Sequence, residues 1–264
     1  MSLLLAPVDR SPKLLARMHL HAVLPAFPEL LKHSTEARKT IGERSFRMRF
    51  SCRDLYADLC FIKGRCRYVQ RPSGTPTIHL RYLSFRQLNR AFAGGSRSFA
   101  LPLLNPLAIP RLIVFSNLSS QLKGILEISG ESGSAEQLLN LRLSLHIALA
   151  ATAILIESET FSRTLLGGPE EWSVRIRVAY SDLSYWIGRK NGQTVWGRNP
   201  TAPAKAELQF SSADLAQKGL EGILDNMSAM NEGSLRISGH LPLVERLSQV
   251  LERVPLYLQP SSPL

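Results

Sequence analysis

The sequence is poor in cysteine, and the few cysteines it has are not arranged as a metal or disulfide site. Cys52, Cys60 and Cys66 are the three cysteines among 264 residues. Their number is odd, and they have neither paired CxxC spacing nor neighbouring histidines, which argues against a disulfide framework and against structural zinc. We therefore expect small thiols that fill the core, and we expect no metal ion and no other cofactor.

The sequence also lacks the local motifs that mark common enzymes and exported or membrane-spanning proteins. No phosphate-binding glycine loop, GxSxG, HExxH or spaced carboxylate pair occurs, which disfavours an enzyme without excluding one, and we assign no catalytic residue. The first ten residues, MSLLLAPVDR, lack the basic segment of a secretory signal, so we expect a cytoplasmic protein. The longest apolar run, 143–156, is shorter than the roughly 20 residues of a membrane span and predicts a buried helix.

Positive charge is concentrated in the first half of the chain. The net charge is +11, with 20 Lys and Arg against 7 Asp and Glu in residues 1–130, and 12 against 14 in residues 131–264. Such asymmetry indicates an anionic partner for the first half, for which phospholipid headgroups and nucleic acid are both candidates.

An internal repeat divides the chain into two parts of similar length. At an offset of 128, residues 45–50 (SFRMRF) lie over 173–178 (SVRIRV), Gly64 over Gly192 and Leu80 over Leu208. His19 lies over His146 at an offset of 127. Repeats of this kind predict duplicated domains, and we place them at 1–130 and 131–264.

Each repeat shows the same order of predicted elements. A helix precedes an alternating strand, and a hairpin, a strand running into a helix, and a late strand followed by a helix come after it. In the second repeat these are a hairpin at Asn191-Gly192, a strand at 206–210, a helix capped by Ser212, a strand at 234–238 and a helix at 241–254. In the first they are a strand at 77–82, a helix capped by Ser84, a proline-rich edge or broken strand at 101–110, and a helix at 111–126.

Residues 206–254 resemble the sterol carrier protein type 2 domain. The resemblance rests on a strand leading into a short helix (208–220), the string Gly233-Ser234-Leu235-Arg236-Ile237-Ser238-Gly239, and a closing apolar helix. The first repeat lacks that string and is related to the family only through the duplication. The resemblance implies an α+β fold with two similar domains, each a mixed or antiparallel sheet covered on one face by helices, with an apolar cavity for a sterol, fatty acyl chain or similar lipid.

Apolar residues on the later strands and helices are therefore candidates for contact with ligand, although ordinary core packing would use the same residue types. The candidates are Leu208, Phe210, Leu215, Leu220, Ile223, Leu243, Leu247 and Leu251 in the second repeat, and Tyr82, Phe85, Leu88, Phe92 and Phe115 in the first. The candidates for binding an anionic surface are Arg47, Arg49, Lys63, Arg65 and Arg67.

Three functions follow from these patterns, in order of preference. The first is non-catalytic binding and transfer or presentation of a hydrophobic ligand, whether sterol, fatty acyl or isoprenoid, with the basic repeat held to an anionic membrane. The second is an enzyme that isomerises or cyclises a hydrophobic substrate in the same cavity. The third and least favoured is nucleic-acid binding, in which Phe61 and Tyr68, interleaved with the arginines, would stack on bases. A homo-oligomer is compatible with all three.

Overall fold

The computed structural model describes residues 11–94, 108–127, 135–199 and 203–258, together with the backbone of 101–103. The chain divides into two compact units. The first domain consists of the described residues up to 127, and the second domain begins at the described residue 135. Both have α+β architecture with one five-stranded mixed sheet each.

The first domain contains one sheet and five α-helices among its described residues. Its strands are β1 (Phe46–Cys52), β2 (Leu55–Ile62), β3 (Arg65–Val69), β4 (Ile78–Tyr82) and β5 (Leu101–Leu103). Its helices are α1 (Pro12–Met18), α2 (Ala26–His33), α3 (Thr35–Ile41), α4 (Phe85–Phe92) and α5 (Ile109–Leu126). A π-helical segment, His19–Val23, continues α1.

The second domain repeats this plan. Its strands are β6 (Trp172–Val178), β7 (Ser184–Lys190), β8 (Gln193–Arg198), β9 (Ala206–Phe210) and β10 (Leu235–Gly239). Its helices are α6 (Ala135–Ser158), α7 (Thr160–Leu166), α8 (Ala213–Glu221), α9 (Asn226–Asn231), α10 (Leu241–Leu251) and α11 (Val254–Leu258).

The two sheets have the same strand order. The first runs β3-β2-β1-β4-β5 and the second β8-β7-β6-β9-β10. In each, the pairing of the first strand with the fourth is parallel, and the other pairings are antiparallel. The predicted duplication of one mixed-sheet architecture is therefore confirmed, and the proline-rich strand β5 lies at a sheet edge, as predicted.

Strand pairing corrects the predicted alignment of the first strands. Arg49 pairs with Asp58 and His79, and Arg175 pairs with Trp186 and Glu207, which lie 128 residues beyond those partners. Arg49 therefore corresponds to Arg175, an offset of 126, and the alignment of 45–50 on 173–178 is wrong by two residues. Because side chains alternate with period two, a slip of two residues keeps every side chain on its face and leaves no trace in the sequence pattern.

Alternate burial gives each sheet a covered face and an open face. Along β1 the apolar side chains at 46, 48, 50 and 52 are buried, while Arg47, Arg49 and Ser51 are only half-buried. Strand β6 repeats this pattern, with buried apolar residues from Trp172 to Val178 at every second position. The helices therefore pack on one face of each sheet, and the other face carries polar residues.

Helix α6 forms the centre of the second domain. It is long and apolar enough to cross a membrane by length and composition, but 78% of its most apolar window is buried within the structure. That burial fits the core helix of a soluble domain and confirms the predicted buried helix. Ser134, which we expect to cap it, lies outside the described residues. The sequence predicts that the helix capped by Ser212 runs to about residue 225, but α8 ends at Glu221, where Gly222 with a φ of 72° caps it.

A buried ion pair joins the end of α10 to the corner between α6 and α7. Arg253 is 0% and Glu159 3% exposed, and the guanidinium donates to the carboxylate over 2.6–3.1 Å. Ser162 and Tyr257 also donate to Glu159. Burial disfavours the ionised carboxylate, but these hydrogen bonds and the charge of Arg253 outweigh it, so the pKa of Glu159 is lowered.

Candidate functional site

The covered face of the second sheet is incompletely covered at β9 and β10. Leu208 of β9 pairs with Ile176 of β6 on one side and with Ile237 of β10 on the other. Because Ile176 faces the helices, the side chains of Leu208 and Ile237 also lie on the covered face. Ile176 is buried, whereas Leu208 and Ile237 are each only half-buried. Apolar side chains that face the helices yet remain accessible indicate an opening between the sheet edge and the helices.

The elements that border this edge expose further apolar side chains. Helix α9 packs against β10, and α8 and α10 pack against β9. The exposed apolar side chains on and between these elements are Ile223 (68%), Met227 (68%), Met230 (38%) and Leu241 (52%). We call these four residues with Leu208 and Ile237 the apolar opening. Exposed apolar groups of this kind mark binding sites, and methionine adapts to ligands of different shape.

The other predicted ligand residues of this domain lie deeper or beside the opening. The ring of Phe210 packs so closely on α8 that a Cβ at Gly219 would lie 3.2 Å from it. Leu243 and Leu247 are buried on α10, which makes them wall residues of the core. The half-buried predicted residues are Leu215, Leu220 and Leu251. Ile237, Met227, Met230 and Leu241 were not predicted, because nothing in the sequence distinguishes an exposed apolar residue from a buried one.

The corresponding region of the first domain is filled with aromatic rings. Phe50 lies 5.4 Å from Phe115 and 6.3 Å from Phe92 between ring centroids. His19 stacks on Phe92, and Phe27 lies tilted against Phe115. Leu80, Tyr82 and Leu88 are buried. Phe85 is instead a surface ring beneath the cations of Lys13 and Arg53.

Equivalent positions show that the second domain has smaller side chains next to β9. Ser84 and Ser212 cap α4 and α8 by accepting hydrogen bonds from Gln87 and Leu215, at an offset of 128. The pairs related by register or by this cap are Phe50 and Ile176, Phe85 and Ala213, Leu88 and Ala216, and Phe92 and Leu220. Additional bulk lies on the same covered face at β7, two strands away from β9, where Tyr185 replaces Ala57. At the four compared positions the second domain has smaller side chains, which favours space for a ligand beside β9.

The open face of the first sheet is strongly basic. Pairing places Arg47 and Arg49 of β1, Arg65 and Arg67 of β3, and Arg81 of β4 on this face. Lys63 lies in the turn between β2 and β3 with a φ of 43°. The structure therefore brings the predicted anionic-surface residues together and adds His79 and Arg81. In the strand IHLRY, apolar and polar residues alternate, and this alternation could have placed His79 and Arg81 on the open face.

One carboxylate organises the centre of this face. The side chain of Asp58 is fully buried and accepts hydrogen bonds from Arg47 and Arg49, the latter over 2.9 Å and 3.2 Å. Arg49 also donates to the backbone oxygen of Gly74, in the connection between β3 and β4, over 2.9 Å. At the position equivalent to Asp58 the second sheet has Trp186, whose indole lies against Gly197.

Solved structures with the same fold were found by comparison. No family model matches the chain, and no curated protein matches it. A structure described as "UbiJ-SCP2 Ubiquinone synthesis protein" is 16% identical, with a TM-score of 0.32, over 42% of this chain and 95% of that chain. Sterol carrier protein domain 2 of Helicoverpa armigera gives 16%, 0.32, 47% and 94%, and Sterol Carrier Protein 2 Like 2 of Aedes aegypti gives 14%, 0.29, 42% and 98%.

These structures are sterol carrier protein 2 domains. The resemblance predicted from residues 206–254 is to the same kind of domain. Each of them spans less than half of this chain and nearly all of its own, which is the extent of a single domain.

Cys52 and Cys66 lie on the covered face of the first sheet, as expected of thiols that fill the core, whereas Cys60 is half-buried on the open face, paired with Arg47 and Arg67. Burial raises the pKa of Cys52 and of Cys66, so both thiols stay protonated at neutral pH. Within the described ranges, no cluster of three histidine, cysteine or acidic side chains is arranged to hold a metal ion.

Contacts correct the predicted correspondence between histidines. Tyr68 and Trp196 are equivalent by register, and their rings meet His21 and His146 respectively in edge-on contacts. His21, not His19, therefore makes the contact in the first domain that His146 makes in the second. Burial, together with the charge of Arg17, lowers the pKa of His21 to about 4. Its Nδ1 is hydrogen-bonded to the hydroxyl of Tyr68 over 2.5 Å.

Because His19 and His21 are buried, we expect the first domain to lose stability in mild acid. Burial also lowers the pKa of His19 to about 4, from 6.5. Between pH 6.5 and about pH 4, each of these histidines binds a proton in the unfolded chain but not in the folded domain. The free energy of unfolding of the first domain therefore decreases as the pH is lowered through this range, by up to about 1.4 kcal/mol per pH unit for each histidine. We expect His21→Gln to remove about half of this slope, measured by hydrogen exchange of the first domain. An unchanged slope would contradict the assignment.

Proposed function

We propose that the second domain binds a hydrophobic ligand of the sterol, fatty acyl or isoprenoid kind at the apolar opening, and transfers or presents it without catalysis. The observation that carries the proposal is the half-buried state of Leu208 and Ile237 on a face whose apolar side chains in β6 and β7 are buried. The names of the matched structures describe sterol carriers, which is the same general activity. The enclosed cavity and the individual ligand contacts stay predictions.

The chemistry of the opening suits such a ligand. Its six defining side chains are all apolar, so they offer contact area and no group that would act on a substrate; for this reason we favour binding over isomerisation or cyclisation. An alkyl chain gains about 0.8 kcal/mol for each methylene removed from water, so affinity needs few polar contacts. The first domain, with its aromatic cluster, offers less room, and we assign the ligand to the second domain.

We expect the purified protein to bind a fluorescent fatty acid, and we expect Ile237→Arg to weaken that binding at least tenfold. The arginine places a charge where the apolar chain would lie, while its half-exposed position lets the head group reach water and leaves the fold intact. Titration of a stearate labelled with an environment-sensitive fluorophore measures the affinity, and native mass spectrometry shows any ligand retained from expression.

A matched control is Leu256→Arg. Leu256 is 47% exposed on α11, so this variant makes the same kind of change elsewhere on the same domain, and its affinity should equal that of the unchanged protein. Tryptophan fluorescence checks that both variants are folded. Equal affinity of the Ile237→Arg variant and the control, or no binding of the probe at all, would refute the proposal.

A further inference from the structure

The basic open face of the first sheet retains most of its charge. Within the described part of the chain, Asp58 is the acidic partner in the ion pairs of this face, and it pairs with both Arg47 and Arg49. Arg65, Arg67 and Arg81 are exposed. A concentration of guanidinium groups on one surface attracts a polyanion and holds it by hydrogen bonds to phosphate.

Two exposed apolar side chains stand on the same face. Ile62, 59% exposed, is paired with Arg65 at one end of β2. Tyr56, 45% exposed, is paired with Ser51 at the other end. Side chains of this type enter the boundary between headgroups and acyl chains, while the neighbouring arginines meet the lipid phosphates. A face that only kept the domain soluble would gain nothing from exposing them.

The aromatic residues needed for nucleic-acid binding are directed elsewhere. Sheets that bind single strands stack bases on aromatic side chains of the exposed face. Phe61 is 1% exposed and stacks on Phe46 beneath the sheet, and Tyr68 is hydrogen-bonded to His21 on the same covered side. Among the described strand residues of the open face, the aromatic ones are Tyr56 and His79, and the ring of His79 is hydrogen-bonded to Ser51.

The second sheet lacks this combination on its open face. Arg175 and Arg177 both form ion pairs with Glu207, at 3.5 Å and 3.4 Å. Trp186 lies on the same face, paired with Arg175 on one side and with Gly197 on the other. Arg236 of β10 lies on the same face, paired with Gln209. The two domains therefore differ in the surface that the same architecture presents.

We propose that the open face of the first sheet docks the protein on membranes that contain anionic phospholipid. The arginines at 65, 67 and 81 contact headgroup phosphates, and Ile62 and Tyr56 enter the interface. This assignment goes beyond hydrophobic ligand binding and is tested without any ligand readout, so each of the two proposals can fail without the other.

The test uses the full chain and vesicles of phosphatidylcholine with and without about 30% phosphatidylserine. We expect the protein to sediment with the anionic vesicles and not with the neutral ones. R65Q/R67Q/R81Q should weaken this binding at least tenfold, since each basic residue near an anionic surface contributes roughly a fivefold factor. Y56S/I62S should also weaken it, with the charge unchanged.

The matched control is R175Q/R177Q/R236Q, which removes the same charge from the open face of the second sheet. It should change vesicle binding less than about twofold, because two of its arginines are already paired with Glu207. Hydrogen exchange of β1 to β4 checks the fold of the variants in the first sheet, and hydrogen exchange of β6 to β10 checks the fold of the control variant. Equal losses in the two triple variants, or no binding to anionic vesicles, would overturn the proposal. So would a uridine oligonucleotide that binds this face more tightly than vesicles do.

Discussion

Replacing Arg253 with methionine should lower the free energy of unfolding of the second domain by about 3–5 kcal/mol. The guanidinium is fully buried and makes several hydrogen bonds to Glu159, so its removal leaves a buried carboxylate without its counter-ion. Urea unfolding followed by tryptophan fluorescence measures this domain alone, because Trp172, Trp186 and Trp196 are the three tryptophans of the chain.

A double variant separates the loss of packing from the loss of charge compensation. Glu159→Gln in combination with Arg253→Met removes both charges, so it should be less destabilised than Arg253→Met alone. A double variant as unstable as the sum of the two single ones would show that the residues act independently, and a loss below about 1 kcal/mol for Arg253→Met would contradict the buried pair.

The dependence on pH gives a second signature of the same pair. The folded pKa of Glu159 is lowered, so its contribution is present above the pKa of the unfolded chain, about 4.3, and is lost as the pH falls through the folded value. Glu159→Gln should remove this acid-sensitive part of the stability of the second domain and leave the mild-acid sensitivity of the first domain unchanged.

Local rules explain the parts of the fold that could be predicted from the sequence. The hairpin at Asn191-Gly192 forms because both residues adopt positive φ, 50° and 73°, which this pair tolerates better than others. Strand β9 has the predicted bounds, and Ser84 and Ser212 cap their helices. Each of these features depends on a few neighbouring residues. Because the sequence repeats, the same features predict one architecture for both domains.

Features that depend on residues distant in the sequence could not be predicted. The two-residue difference between β1 and β6 is invisible because it preserves every face. His19 matched His146 in sequence, but His21 makes the equivalent ring contact in the structure. The apolar opening depends on how completely the helices cover Leu208, and the sequence alone does not show whether a leucine is covered.

Replacing Asp58 with alanine should destabilise the first domain by about 3 kcal/mol. The carboxylate is fully buried beneath Arg47 and Arg49, whose side chains are 26% and 19% exposed. Without it, two guanidinium groups lie side by side with no counter-charge and with little access to water. Because the arginines are partly solvated, we expect the lower end of the range that applies to buried pairs.

The matched control for this prediction is Asp54→Ala in the same domain. Asp54 pairs with Lys13 at 2.6 Å, but both side chains are more than half exposed, so its loss should cost no more than about 1 kcal/mol. The two variants remove the same group and the same charge, from a buried site shared with two arginines in one case and from an exposed site paired with one lysine in the other.

Hydrogen exchange of β1 and β2 measures the effect where it arises, and the tryptophan transition of the second domain is an internal reference. We expect Asp58→Ala to speed exchange in β1 and β2 by roughly two orders of magnitude, as 3 kcal/mol implies, and to leave the tryptophan transition unchanged. If Asp58→Ala and Asp54→Ala proved equally mild, Asp58 would be dispensable as the counter-ion of Arg47 and Arg49. The open face would then be organised by the backbone contact of Arg49 with Gly74 instead.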